Sequence, residues 1–211
     1  MAPAHYFSPA PDSVLKLRQI KVQVAGLTRE VTTANAVFSP AHIDTGTEVL
    51  LSNSPDPPPG GDFLDLGCGW GPISLHLAIA SPHATVWAVD VNERALDLVR
   101  MNAATLGLAN INAVLPADVP VDVSFRTIWS NPPIRVGKNE LHNLLNRWLP
   151  RLGPDSDAWL VVQRNLGSDS LHHWLQGELS TEYVVSRTAT SKGFRVLRVR
   201  RRELPFVHDF D

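Results

Sequence analysis

The chain has 211 residues, 44% hydrophobic and 19% charged, which excludes a disordered or fibrous protein and fits one ordinary domain with a sizeable core. A formal net charge of -2 gives no whole-molecule attraction to nucleic acid, so any such partner has to be held by a local patch. No apolar run approaches the roughly 18 residues of a membrane span, and one cysteine with eight histidines at no metal-ligand spacing excludes a disulfide framework and a zinc cluster.

Residues 14–24, VLKLRQIKVQV, alternate charged or amide side chains with apolar ones, as a half-buried strand does. Ala25-Gly26 offers a turn into Arg29-Glu30-Val31-Thr32-Thr33, so the pair is expected to be a β-hairpin. A short helix over 47–51 leads into a proline-rich loop at 52–61. Residues 1–51 are thus expected as an N-terminal extension packed on a single domain that spans 1–211. Beyond the loop, strands are expected at 63–66, 85–89, 111–114, 127–130 and 158–162, and helices at 73–80, 92–106, 140–149 and 170–176. That alternation builds an α/β fold, a mostly parallel sheet with helices on both faces. Strands 183–185 and 194–199 follow one another without room for a crossover helix and should be antiparallel.

The first strand of that series runs into Asp65-Leu66-Gly67-Cys68-Gly69-Trp70-Gly71. A glycine turn between strand and helix lets backbone approach a ligand and aims N–H groups at it. The glycines at 67, 69 and 71 do not follow the G-x-G-x-x-G spacing of a dinucleotide site, and Asp65 suits an ammonium group better than a pyrophosphate. Asp90 ends the next strand in WAVDVN, where a carboxylate can accept from both hydroxyls of a ribose.

DLGCGWG followed by AVDVN resembles motifs I and II of the class I S-adenosylmethionine-dependent methyltransferases. The resemblance implies a Rossmann-like, seven-stranded sheet with an antiparallel last strand, and S-adenosylmethionine as cofactor. It puts the methionine portion at Asp65, Gly67, Cys68, Gly69 and Gly71, the ribose at Asp90, Val91 and Asn92, and the adenine at Ala117 and Asp118 of PADV. Cys68 is then a small turn residue and not a nucleophile.

The fourth strand ends in Ser130-Asn131-Pro132-Pro133-Ile134, where two prolines cannot donate to a sheet. NPPI resembles motif IV of the amino-group methyltransferases, which act on adenine N6, guanine N2 or protein glutamine. Asn131 is then beside the cofactor and catalytic together with Pro132: its side-chain oxygen and the Pro132 carbonyl accept from one NH2 group and turn the nitrogen lone pair to the methyl carbon. Pro133 and Ile134 would touch the target. Ile134 departs from the motif, because an aromatic there would stack on a planar base and isoleucine can only pack.

A narrower resemblance, to the RsmC-like branch of ribosomal RNA guanine-N2 methyltransferases and their shorter relatives, rests on HYF at 5–7, VFSPAHIDTGTEVLL at 37–51, NPPIRVGK, VVQRNLGSDSL and KGFRVLRV in that order. It implies that Phe38, Asp44, Gly46 and Thr47 lie over the active site, with Phe38 able to supply an aromatic face, and that Arg135 and Lys138 meet the target nucleotide or its phosphate. The implied partner is ribosomal RNA or a ribosomal subunit; residues 1–11 have neither the basic start nor the hydrophobic stretch of a signal peptide, so a cytoplasmic protein is expected, a monomer without metal. Gln163, Arg164 and Asn165 are expected on the rim, and Arg195, Arg198, Arg200, Arg201 and Arg202 form a candidate basic patch. A protein glutamine or small-molecule acceptor, or a cofactor-binding ribosome-assembly factor without turnover, stays open on the residues alone.

Overall fold

The computed structural model describes residues 13–203; His5, Tyr6 and Phe7 lie outside them, as does the Arg135 side chain. Strands β1 (Leu17–Val24) and β2 (Leu27–Ala34) form a two-stranded antiparallel sheet. Ala25 and Gly26 both have positive φ, 49° and 76°, the conformation that matches a two-residue hairpin loop to the strand twist. Pairing therefore begins at once, Val24 opposite Leu27, and β2 is longer than the residues 29–33 expected. The inward Val22, Val24 and Val31 pack on Trp70, Leu75 and Leu98. Buried Asn102 fastens the hairpin: it accepts from Thr32 N at 2.7 Å and donates to Thr32 O at 2.9 Å, replacing a strand neighbour with one amide.

Helix α1 (Thr45–Asn53) extends beyond the expected 47–51 at both ends, because Asp44 caps its start and Pro55 stops it only after the Ser54 N–H has bonded Leu50 O. The proline loop shortens accordingly to 54–59. Strand β3 (Gly60–Leu66), helix α2 (Pro72–Ala80), β4 (His83–Val89), α3 (Glu93–Leu106), β5 (Ile111–Val114), β6 (Phe125–Ser130), α4 (Lys138–Trp148), β7 (Leu152–Gln163), α5 (Ser168–Glu178), β8 (Tyr183–Ser191) and β9 (Phe194–Arg201) complete the chain. The sheet order is β5-β4-β3-β6-β7-β9-β8, with β9 antiparallel to both neighbours and the first five strands parallel.

Strand β8 runs six residues past its expected end at 185, since Lys192 and Gly193, at φ 47° and 81°, close a tight hairpin that pairs the polar stretch through Ser191. Residues 188–191 carry no apolar alternation, so pattern reading stops short of them. On one face of the sheet Phe63, Trp129, Val161 and Val196 meet Val49 and Leu50 of α1 and Ile73 and Leu77 of α2. On the other, Leu64, Ile128, Leu160 and Leu197 meet Leu145 and Trp148 of α4 and Leu175 of α5. Among the described residues no helix is long and apolar enough to cross a membrane.

Candidate active site

The winding reverses between adjacent β3 and β6, and a cavity of about 310 Å³ opens over the carboxyl ends of these strands. Such a switch point leaves a crevice because the connections leave it in opposite directions.

One wall is the turn after β3. Gly67, Gly69 and Gly71 have φ of 77°, 54° and 100°, open to glycine without strain. They serve two ends. A Cβ on Gly69 would meet nothing, and one on Gly67 only the Pro133 ring at 3.9 Å, so both leave room at the cavity. One on Gly71 would press on Val99 at 3.1 Å, so Gly71 keeps α2 close to α3 and stays out of the cavity lining. The expectation of free N–H groups fails for four residues of this turn. Gly67 N and Cys68 N donate to Val89 O, Gly69 N to Asp90 Oδ2 and Gly71 N to Cys68 O, all within 3.1 Å. What this turn offers a ligand is space.

The polar anchor on that wall is Asp90. Its Oδ2 accepts from Gly69 N and its Oδ1 from Asn92 N, both at 2.9 Å, which fixes the carboxylate and leaves each oxygen a lone pair. Burial raises its pKa against these backbone donors. Val91 and Asn92 line the cavity beside it, and Asn92 caps α3 by accepting from Arg94 N while donating to Ala36 O. Pro116 lines the far side; Ala117 and Asp118 are exposed and outside the lining. Asp65 is fully buried below the turn. Its Oδ2 accepts from Ser74 N and Ser74 Oγ, which does for α2 what its side-chain-free cap Gly71 cannot, while Oδ1 has no partner. Burial pushes its pKa up to about 7. Burial also pushes the Cys68 thiol well above its ordinary range, which disfavours the thiolate form.

The opposite wall joins β6 to α1. Ser130 Oγ donates to Leu66 O at 2.7 Å and ties the two strand ends together. Asn131 Nδ2 donates to Asp44 Oδ2 at 2.9 Å and to Thr47 Oγ1 at 3.1 Å. An ionised carboxylate only accepts, so the amide cannot present its oxygen there, and Asn131 Oδ1 is left for the cavity. Asp44 Oδ2 also takes Gly46 N at 2.8 Å as the cap of α1, so helix start and amide orientation share one atom. Pro133, at φ -74° and ψ 77°, sits at the centre of an inverse γ-turn closed by Ile134 N to Pro132 O at 2.8 Å. That turn aims the Pro132 carbonyl and spends one of its two lone pairs.

Phe38, Asp44, Pro132, Pro133 and Ile134 line the cavity. Phe38 arrives on a segment held across the glycine turn by Trp70 Nε1 to Ser39 O and Asn92 Nδ2 to Ala36 O. Thr47 and Cys68 border an adjoining cleft of about 20 Å³. Gly46 stands behind the lining and Lys138 is exposed outside it. Gln163 also lines the cavity; Phe194, whose place at a strand start gave no sign of it, does too. Four of the five arginines in the basic run have ion partners within the fold: Arg198 and Arg200 pair with Asp157, Arg200 also with Asp155, Arg201 with Glu182, and Arg195 with Asp169, while Arg202 is exposed. Among the described residues no group of three or more His, Cys, Asp or Glu side chains could hold a metal.

Strand order, glycine turn, the carboxylate after β4 and the amide after β6 together define a class I methyltransferase fold. The chain belongs to the family described as Methyltransferase small domain, whose model matches residues 28–198. It is 31% identical over 200 residues to the Bacillus subtilis protein YbxB, named as uncharacterized, covering 93% of this chain and 98% of that one. It is 30% identical over 192 residues to ribosomal RNA small subunit methyltransferase C of Acinetobacter baumannii, covering 86% of this chain and 54% of the relative, so it spans about half the length of that enzyme. The fold superposes on the Thermus thermophilus 16S rRNA N2-guanine methyltransferase RsmC, solved with AdoMet and guanosine, at TM-score 0.77, 22% identity and coverage of 91% of this chain and 52% of the other.

Proposed function

We propose that the protein is an S-adenosylmethionine-dependent N-methyltransferase acting on an exocyclic amino group of a ribosomal RNA base, guanine N2, in the cytoplasm. The observation that carries this is the Asn131 amide, pinned through its NH2 so that its oxygen faces a cavity shared with the glycine turn. The likeness to the small-subunit ribosomal RNA methyltransferases supports the acceptor.

The residues present fit the cofactor. Gly67 and Gly69 leave room, Asp90 keeps lone pairs for two ribose hydroxyls, and the orphaned Asp65 Oδ1 suits an ammonium group. S-adenosylmethionine, when bound, would supply an electrophilic methyl group whose bond to sulfur breaks on transfer, the bonding pair staying on sulfur in S-adenosylhomocysteine. The acceptor amine is a poor nucleophile because its lone pair is delocalised into the ring. Asn131 Oδ1 and the remaining Pro132 carbonyl lone pair accept its two N–H bonds, which rotates the lone pair out of conjugation and fixes its direction. The nitrogen gains a carbon as it gives up its lone pair, then loses one of those hydrogen-bonded protons to solvent, and no strong base is needed. Purified protein is given labelled cofactor and unmodified small subunits or naked RNA. Label in RNA that vanishes with Asn131→Ala is the expected result, and label resistant to nuclease would overturn the acceptor.

A further inference from the structure

Side-chain alternation carries one face of the sheet up to the cavity. Trp129, Trp159, Val161 and Val196 all pack toward α1, so Asn131 and Gln163, two residues beyond Trp129 and Val161, and Phe194, two residues before Val196 at the start of antiparallel β9, lie on that same face at the carboxyl edge of the parallel strands. Gln163 and Phe194 stand directly opposite one another in the β7–β9 ladder, where paired side chains are neighbours. Arg164 N to Gly193 O at 2.9 Å holds this strand end. The Phe194 ring is seated against the first turn of α1: a Cβ on Gly46 would stand 2.9 Å from its Cε1. The Gln163 amide is half-buried, borders the cavity, and makes no side-chain hydrogen bond among the described residues.

We propose that Gln163 and Phe194 form the acceptor-base subsite, Phe194 supplying the stacking face that Ile134 lacks and Gln163 reading the base edge beside the target amino group. This rests on the guanine reading above. Next to guanine N2 come the N1–H donor and the O6 acceptor, and one glutamine amide offers Oε1 to the first and Nε2 to the second. Adenine presents a ring-nitrogen acceptor and then a C–H beside its amino group, so a rotated Gln163 makes one hydrogen bond in place of two.

The test is nucleoside binding to the full chain, by titration calorimetry in the presence of S-adenosylhomocysteine. Wild-type protein is expected to bind guanosine about tenfold tighter than adenosine, and tighter than inosine, which keeps N1–H and O6 but lacks the amino group that Asn131 and Pro132 hold. Gln163→Leu erases the preference over adenosine. Gln163→Glu, close in shape, keeps the N1–H acceptor but opposes O6, and loses it too. Phe194→Leu weakens all three nucleosides alike, by roughly tenfold. No preference in the wild type, or one that survives both Gln163 variants, overturns the subsite. Transfer to RNA, measured on the same preparations, reports separately: transfer with a preference indifferent to Gln163 sinks the subsite and leaves the guanine N2 activity, and a Gln163-dependent preference without transfer does the reverse.

Discussion

The two walls of the cavity are built by different means. The wall after β3 and β4 is made of backbone shape, the left-handed Gly67 and Gly69 and one carboxylate oriented by backbone N–H groups, all within residues 65–92. The wall after β6 is made of side chains from four separate elements, with Asn131 held by Asp44 from 87 positions away. A backbone wall makes a shape that holds a ligand in one place, whereas a side-chain wall aims atoms. On our reading the first binds the cofactor and the second turns the acceptor, and substitutions on each should affect different quantities.

The sharpest break in that comparison is Asn131→Ala. With no side-chain oxygen to fix the amine, turnover is expected to fall by about a hundredfold or more, while the cofactor dissociation constant, measured by calorimetry, moves little because the glycine turn and Asp90 are untouched. Asp90→Ala inverts the pattern. Losing charged acceptors for two hydroxyls is expected to weaken cofactor binding roughly ten- to a hundredfold, with turnover at saturating cofactor nearly intact. Equal loss of cofactor affinity in both variants would mean that the walls do not divide the work.

The same contrast explains what the sequence made legible. Strand and helix alternation and the glycine turn are local patterns, and each can be read from a short window. The Asp44 to Asn131 bond cannot: the resemblance lays Asp44 over the site, but no window of sequence pairs it with an amide 87 positions on. Phe194 was hidden because a strand-leading aromatic after Lys-Gly looks like ordinary packing; only the β7–β9 register brings it opposite Gln163. The partners of the arginine run were equally illegible, because charges meet in three dimensions: Asp157 is far off in sequence and opposite Arg200 in the ladder. Nor does any sequence pattern tell that four of the turn's N–H groups are already used, or that Ala117 and Asp118 stay outside the lining.

Asp44 lets the side-chain wall be tested without touching a reacting group. Asp44→Ser keeps a hydroxyl to cap α1 through Gly46 N but is too short to reach Asn131, so stability should be held within about 1 kcal/mol. Turnover is expected to drop roughly tenfold, since a freed amide spends time with its NH2 toward the acceptor. Asp44→Asn, which still offers an oxygen to both donors, should recover most of it. Urea unfolding alongside kinetics separates the two roles of the side chain; a turnover loss that tracks stability across the variants would reduce Asp44 to a cap.

The smallest expected effect concerns Asp65, beneath the backbone wall. Burial raises its folded pKa from 3.8 to about 7, so the folded chain holds this proton more tightly than the unfolded one. Its contribution to stability is therefore complete below pH ~4 and is lost as pH rises toward 7, at about 1 kcal/mol per pH unit between pH 5 and 6.5. Asp65→Asn keeps an oxygen for the Ser74 donors and removes the titration, and its unfolding midpoint in urea should change less over that window than the wild type's. If the orphaned Oδ1 meets the cofactor ammonium, binding needs the ionised carboxylate. Cofactor affinity then climbs with pH through 7 in the wild type and stays flat in the variant, whereas parallel curves would confine Asp65 to fastening α2.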